Sequence, residues 1–423
     1  MKKRKIQIKQ RRKNLKKLAK KVWLNRILIG LFLLFFCALF FFPSVLNRDP
    51  QIQTRLLITA IGIDVTEEGE VEFSGIAVLP STGDTAQVKS VTVTNTAPSL
   101  AECIENISEQ YGKQSELGLC GLVVLGDSTD NVDILPHLEF LLSSAYISPG
   151  AYLIHTTSSK AVDLLEFASS QNPSTAEILS SVVEFNDKTA RIATRTLLEF
   201  LSESHSISRS SVLPSVKASE QKKSNNGESS GGGESKQSGG DSDSKRSAVS
   251  SLNTAVIYKN GRKTGELTDA QTLGFNLATN EADKGLIVLE NFSASGFNLG
   301  RIDCWVYSSN FKHKTYFDSD TPVFEIKIEV TLQFQDQHKI IRAWQKNGKE
   351  EEDIINPLIK AFEEKIKANV LSAYNHAKTV NADIFAVNTE FSRFHNSRFV
   401  KMQKHSDVFQ LSEPKVQVKV AFK

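Results

Sequence analysis

At 423 residues, with 51 Lys/Arg against 48 Asp/Glu, the chain carries a net charge of +3 that is unevenly spread. The first 26 residues hold 13 Lys/Arg and no acid, which leaves −10 for everything after them. An acidic body argues against nucleic acid as a partner, and the basic end points instead to anionic lipid headgroups, at roughly 1 kcal/mol per basic residue near the surface.

The first predicted element explains that asymmetry. Ile27–Leu46 (ILIGLFLLFFCALFFFPSVL) is uncharged over 20 residues, six of them phenylalanine. As a helix it spans roughly 30 Å, the thickness of a bilayer core. Its one proline, Pro43, lies near the far end. The Lys/Arg excess before it is expected to stay cytoplasmic, so the remaining chain is expected to be exported. A cleaved signal peptide is the alternative, with an apolar region of about 7–15 residues ending in a small-x-small site. FFPSVLNRD is a poor site of that kind, and Phe35 and Phe36 precede Cys37 where a lipoprotein signal has small residues. Residues 27–46 therefore read as an uncleaved signal anchor behind a basic cytoplasmic tail, 1–26. About 375 residues follow, enough for two or three domains.

In the region 50–218, Leu56–Val65 and Val71–Leu79 are β-rich runs joined by TEEGE, which predicts a hairpin. Val88–Thr96 is a third strand of β-branched residues. Within Pro98–Gly112, Leu100, Ile104, Ile107 and Tyr111 recur at helical spacing. Leu119–Gly126 is short and wholly apolar, as in strands buried on both faces. A helix at Asn131–Ser143, a strand at Ala151–Thr157 and helical patterns at Ser159–Ala168, Thr175–Phe185 and Thr189–Glu203 follow. This alternation predicts a sheet that is at least partly parallel or mixed.

Residues 219–250 are built from Ser, Gly and charges, too poor in hydrophobes to offset the entropy of ordering, and read as a flexible linker. Gly227-Glu228-Ser229-Ser230-Gly231 matches the G-x-S-x-G pattern of hydrolases, but that motif needs a strand before it and a helix after it. The tract offers neither.

The region 251–423 opens with a strand at Leu252–Lys259, a turn at Asn260-Gly261 and a helical pattern over Thr268–Leu277. Strands are expected at Leu286–Phe292, Arg301–Ser308 and Pro322–Gln335. In the last, Phe324, Ile326, Ile328, Val330, Leu332 and Phe334 alternate with polar residues, so one face meets a core and the other water. A long helix follows. Acidic residues 350–353 and an Asn356-Pro357 start precede an apolar stripe of Ile355, Leu358, Ile359, Phe362, Ile366, Val370, Tyr374 and Ala377. Lys415–Phe422 closes the chain as an alternating strand. The fold class is α+β: a single N-terminal transmembrane helix, then a multi-domain mixed α/β ectodomain.

The eight histidines, His137, His155, His205, His313, His338, His376, His395 and His405, form no HExxH or other close metal-ligand spacing. His313 and His338 are expected to be solvated. No Walker loop or strand-borne GxGxxG is present. Asp64, closing AIGID, and Asp383, in NADIF, are the best candidates for a polar role, each expected to cap a turn or helix end. Cys103, Cys120 and Cys304, an odd set beyond the anchor, read as small buried hydrophobes, with a disulfide as the alternative. No catalytic, cofactor-binding or metal residue is assigned.

The order of segments resembles the Ger(x)C family, the C-subunits of spore germinant receptors. The matching pieces are TAIGID (Thr59–Asp64), GLVVLG (Gly121–Gly126), DILPHLEFLL (Asp133–Leu142), KAVDLLE (Lys160–Glu166), TLLEFL (Thr196–Leu201) and VLPSV (Val212–Val216). TAVIYKNGRKTGELTDAQTLGF (Thr254–Phe275), PVFEIKIEV (Pro322–Val330), the long helix, ADIFAV (Ala382–Val387) and VQVKV (Val416–Val420) complete the series. The resemblance implies an exported mixed α/β ectodomain of three subdomains with no known catalytic site. It also implies work beside two polytopic membrane subunits, one permease-like, at the inner spore membrane, where bound nutrients trigger germination. Family members carry a lipobox cysteine where this chain has Asn47-Arg48-Asp49. Either the transmembrane helix replaces the lipid anchor or the chain belongs to a divergent branch. The expected function is thus a non-enzymatic accessory subunit of a germinant receptor. The alternatives are an envelope scaffold with no role in spores and a membrane-tethered hydrolase.

Overall fold

Beyond residue 55 the described residues form a large mixed sheet, a four-stranded sheet, a two-stranded ribbon and the helices that pack on them. The computed structural model describes residues 23, 26–37, 54–79, 89–143, 147–171, 188–216, 218–220, 247–249, 254–280, 282–294, 297–335 and 352–423. The first sheet is ordered β11-β10-β7-β6-β5-β1-β2-β3, with β4 (Gln114–Glu116) pairing β1 to one side. Its centre is parallel: β1 (Arg55–Val65), β5 (Leu122–Leu125), β6 (Tyr152–Thr156) and β7 (Ser210–Val216). Its wings are antiparallel: β2 (Val71–Leu79) and β3 (Lys89–Ala97) on one side, β10 (Thr254–Lys259) and β11 (Arg262–Leu267) on the other. The mixed sheet expected from the alternation is what forms.

The parallel strands are buried on both faces, and all four residues of β5 are inaccessible. One face packs α1 (Leu100–Tyr111), α2 (Leu135–Ser143) and α4 (Leu197–Ser204) over Ile61, Ile63, Val123, Leu125 and Leu153. The other receives α3 (Ala161–Gln171) over Ala60, Leu122, Val124 and Ile154. Local chemistry fixes the helix starts. Ser99 Oγ accepts from Glu102 N at the head of α1, and Gly112 closes that helix at φ 59°. The helix predicted over Thr189–Glu203 begins only at Leu197, because Thr196 and Glu199 form a capping box there. The helical pattern at 175–185 lies outside the described residues.

The tract at 219–250 joins two neighbours within this sheet. β7 pairs antiparallel with β10, and the ladder resumes as β8 (Ala218–Glu220) against β9 (Ser247–Val249). Residues 221–246, including the G-x-S-x-G tract, lie outside the described residues. Strand β10 then serves two cores at once. Val256 and Tyr258 enter the core under α1, α2 and α4, whereas Ala255 and Ile257 enter the core of the C-terminal part. By its contacts the chain over Leu56–Lys423 forms one compact unit, with β10 shared between the two cores.

Asn260 (φ 50°) and Gly261 (φ 74°) turn β10 into β11 through a two-residue loop that only left-handed backbone closes, and the sequence missed the strand after it. Thr268 caps α5 (Asp269–Thr279). The second sheet runs β12 (Leu286–Ala294), β13 (Phe297–Asp318), β14 (Thr321–Phe334) and β15 (Glu413–Phe422), the last parallel to β14. In β14, Phe324, Ile326, Ile328, Val330 and Leu332 are buried as their alternation predicts, whereas Phe334 is only partly buried and Glu325, expected to meet water, is buried. They meet α6 (Glu352–Thr379) through Leu358, Phe362, Ile366, Val370 and Tyr374. Helix α6 runs through the expected Asn356-Pro357 start, leaving Pro357 inside it, and Ile354 is buried where Ile355 is only partly so. A Cβ on Gly274 of α5 would lie 2.4 Å from the Asn369 carbonyl carbon, so α5 and α6 cross at backbone contact. Short helices α7 (Val387–Phe394), α8 (Asn396–Gln403) and α9 (Val408–Leu411) lead into β15.

Residues 26–37 are helical, and no described helix is long and apolar enough to span a membrane. The remainder of the expected span, 38–46, and the basic tail, 1–22, lie outside the described residues.

Candidate functional site

The two aspartates singled out by sequence are both buried, and both accept backbone N–H groups near helix starts. Asp64 ends β1 at the carboxyl edge of the parallel strands, where open α/β sheets place their ligands. Its Oδ1 accepts from Ser128 Oγ at 2.9 Å, and its Oδ2 accepts from Ala161 N, the first residue of α3, at 2.9 Å. Burial pushes its pKa up to about 6 against the opposing pull of those bonds. The corner is closed. A Cβ on Gly126 would lie 1.7 Å from Asp64 Oδ1, so the backbone after β5 presses directly on the carboxylate.

Asp383 occupies a different setting, the loop between α6 and α7. Its Oδ1 accepts from Val387 N at 2.9 Å, and its Oδ2 accepts from Asn388 N at 2.7 Å and Ser208 Oγ at 2.6 Å. Burial again raises the pKa to about 6. Asp383 forms part of the wall of a cleft of about 460 Å³, a size suited to a small ligand. The loop 205–209, the β10–β11 turn at Lys259 and Asn260, and Asn381, Asn388, Gln403 and Asp407 complete the lining. Three of these residues hold left-handed backbone: Arg209 (φ 49°), Asn260 (φ 50°) and Asn381 (φ 54°). They are tied together, because Asn260 N donates to Arg209 O at 2.9 Å and Lys259 Nζ donates to Asn381 O. Asparagine adopts this conformation readily, whereas a long side chain such as Arg209 does so at a cost of about 1 kcal/mol.

A buried polar network that sequence reading missed links β6, β10 and β11. His155 is inaccessible; its Nδ1 lies 3.0 Å from Tyr258 Oη and its Nε2 lies 3.2 Å from Asp130 Oδ1. Lys263 Nζ donates to Asp130 Oδ2 at 2.7 Å. Burial works against the Asp130 carboxylate, but the bonds and charges of His155 and Lys263 outweigh it and hold its pKa below the ordinary range. The arrangement resembles a Tyr-His-Asp relay in outline. However, Tyr258 is inaccessible and burial drives its pKa upward, so it is a structural staple and not a nucleophile.

His313 is not solvated as expected. Its ring lies between Phe311 and Phe324, its Nε2 is 2.6 Å from Ala278 O, and burial lowers its pKa. His338 lies outside the described residues. Cys103, Cys120 and Cys304 are buried free thiols, and burial pushes Cys120 and Cys304 up to about 12, which makes them poor nucleophiles. Among the described residues no group of three or more His, Cys, Asp or Glu is placed to hold a metal.

Residues 49–218 match the family model of the spore germination protein N-terminal domain, and residues 253–423 match that of the spore germination B3/GerAC-like C-terminal domain. The two occur in order and together cover most of the chain. The chain belongs to the Ger(x)C family. Its fold is also that of a solved relative, described as the crystal structure of the GerBC protein, at 14% identity and a TM-score of 0.50, covering 86% of this chain and 96% of that one. No curated protein matches. In this Ger(x)C chain the N-terminal region supplies residues 205–209 of the cleft, and the C-terminal region supplies every other lining residue. The cleft therefore lies where the two family regions meet, joined by the bond from Ser208 to Asp383.

Proposed function

We propose that this chain is the C-subunit of a germinant receptor: a non-enzymatic, membrane-associated accessory subunit working beside polytopic membrane proteins, one of them permease-like. One observation carries this: both Ger(x)C regions are present, in order, over 49–218 and 253–423. The polar groups support a non-catalytic role. The carboxylates of Asp64 and Asp383 are engaged by backbone N–H groups, and His155 is sealed between Asp130 and Tyr258.

Membrane attachment is proposed through residues 27–46. Every large apolar side chain from Ile27 to Phe36 is exposed, between 39% and 70%, which suits a lipid environment and not water. The 13 Lys/Arg of the first 26 residues would lie against anionic headgroups on the cytoplasmic side, with the body of the chain exported. A variant lacking residues 1–48 is expected to be soluble and folded; an insoluble, unfolded product would sink this arrangement.

The deciding experiment is affinity purification of the tagged full-length protein from gently solubilised native membranes, with partners identified by mass spectrometry. The proposal expects two multi-spanning proteins, one permease-like. Recovery of the chain alone, or with cell-wall enzymes, would replace it with an envelope-scaffold role on the same fold.

A further inference from the structure

Among the described residues beyond 55, the two most exposed leucines share one edge of the first sheet, and the core places neither of them there. Leu119 (63% exposed) stands in the turn that Cys120 N closes by donating to Leu117 O, with Leu117 and Cys120 buried on either side of it. Exposed turn positions ordinarily carry Gly, Asn, Asp or Ser. Leu198 (53% exposed) lies in the first turn of α4, whose buried stripe is Leu197, Phe200, Leu201 and Ser204, so it falls off the apolar face. Backbone hydrogen bonds fix both positions at the amino ends of the parallel strands. Gly121 N donates to Thr59 O of β1 at 3.0 Å, Tyr152 N of β6 to Gly121 O at 2.9 Å, and Leu198 N to Pro149 O at 3.1 Å. The runs LGLCGL (117–122) and ISPGAY (147–152) are uncharged. The acids beside the two leucines are engaged locally, since Glu116 accepts from Gly118 N and Glu199 from Thr196 N.

The chain also enters the body at this edge. β1 begins at Arg55, nine residues past Leu46 at the end of the apolar run, and nine residues span at most roughly 32 Å when fully extended. We propose that this edge rests on the lipid bilayer itself, with Leu119 and Leu198 entering the interfacial zone of the leaflet on the body's side. The inference rests on the membrane attachment proposed for residues 27–46. So short a tether makes the second contact intramolecular, and two leucines then suffice where a free protein would need a larger apolar patch. Uncharged backbone turns and acids already bonded leave little charge to desolvate on contact. Zwitterionic lipid is therefore enough, which separates this surface from the basic tail.

The test reconstitutes the full-length protein in phosphatidylcholine vesicles, with and without bromine on the lipid acyl chains, and reads tryptophan fluorescence. Leu119→Trp and Leu198→Trp each place an indole at the edge, and Glu68→Trp places one in the exposed β1–β2 turn at the opposite end of β1. Signals are taken as differences from the parent, which has three tryptophans of its own. One of these, Trp23, stands four residues before Ile27 and reports attachment separately. Both replaced leucines are more than half exposed, so the variants should melt with the parent. The indoles at 119 and 198 should emit at shorter wavelength in vesicles and lose intensity with brominated lipid, and the one at 68 should do neither. Quenching in the parent with no added quenching at 119 or 198 would overturn the proposal, leave attachment standing and release the two leucines to a protein partner or to water. Equal quenching at 68, 119 and 198 would overturn it as well, since the body would then have no fixed edge on the bilayer. A parent that is not quenched at all would sink attachment first and this surface with it.

Discussion

Asp64 and Asp383 have nearly the same local chemistry and opposite surroundings. Each is a buried aspartate near a helix start, bonded to backbone N–H and to one serine, with its pKa raised to about 6 by burial. Around Asp64 the backbone closes until nothing else fits; around Asp383 the loops part into a cleft of about 460 Å³. Buried acidity by itself therefore does not mark a functional site. What differs is the space beside the carboxylate and the donors that face it.

The largest expected effect tests the closed side of that comparison. Gly126→Ala would place a methyl 1.7 Å from Asp64 Oδ1 and 3.0 Å from Ala161 N, neither of which can retreat without breaking the bond between them. A loss of about 4 kcal/mol or more is expected in chemical denaturation. An alanine variant within about 1 kcal/mol of the parent would mean that the Asp64 corner is open after all.

Removing each carboxylate probes the same contrast less severely. Asp64→Ala leaves Ala161 N and Ser128 Oγ without their acceptor in a sealed corner, and should cost about 3 kcal/mol. Asp383→Ala strands three donors instead of two, yet the cleft can admit water to them, so about 1–2 kcal/mol is expected. If the second variant proves the less stable, cleft water is not relieving those groups.

Titration is the next test. Because the folded pKa of both aspartates lies above the ordinary 3.8, the folded state binds more protons than the unfolded state between pH 3.8 and about 6. Each group thus adds stability as pH falls through about 6, fully present below 3.8, and this contribution is lost as pH rises. The upper bound is about 3 kcal/mol per group from the size of the shift. Measured as the difference between parent and Asp→Asn variants, the parent should gain on the variant as pH drops from 7 to 4. A difference that stays flat, or grows with rising pH, would remove the burial argument for that site.

Sequence reading reached parts of this picture for physical reasons. Asp64 and Asp383 were legible as caps because short acidic side chains near helix starts have few other uses. The alternation of Phe324 to Leu332 and the stripe of Leu358, Phe362, Ile366, Val370, Tyr374 and Ala377 report burial through their periods, although Ile355 and Ile359 at the edge of that stripe are only partly buried. Strand β10 was not legible in the same way. Its period of two is present, but nothing local says that Ala255 and Ile257 face one core while Val256 and Tyr258 face another. The place of 219–250 between two paired strands was not legible, because it depends on contacts across the tract, and its described ends, 219–220 and 247–249, are themselves strand. The His155 network draws Asp130 and Tyr258 from distant segments, and the left-handed Arg209 has no sequence signature, unlike Asn260-Gly261.

The smallest effect is the most specific to the comparison. Ser208 and Ser128 each donate a hydroxyl to one of the two aspartates, and each bond pulls the carboxyl pKa down against burial. Ser208→Ala should therefore raise the Asp383 midpoint above about 6, and Ser128→Ala should do the same at Asp64, each by about 0.7 pH units for a bond contributing about 1 kcal/mol. The two variants should then diverge at neutral pH. Ser208 also reaches from the N-terminal region to the C-terminal one, so its loss loosens one side of the cleft, whereas Ser128 lies within the first sheet's own loops. Hydrogen exchange at Val387 and Asn388, whose N–H groups share the Asp383 carboxylate, should quicken in Ser208→Ala. No comparable change is expected at Ala161 in Ser128→Ala, where Gly126 still holds the Asp64 carboxylate in place. Equal quickening at both sites would mean that the corner around Asp64 is as yielding as the cleft, and the distinction between a carboxylate in a closed corner and one beside an open cleft would fail.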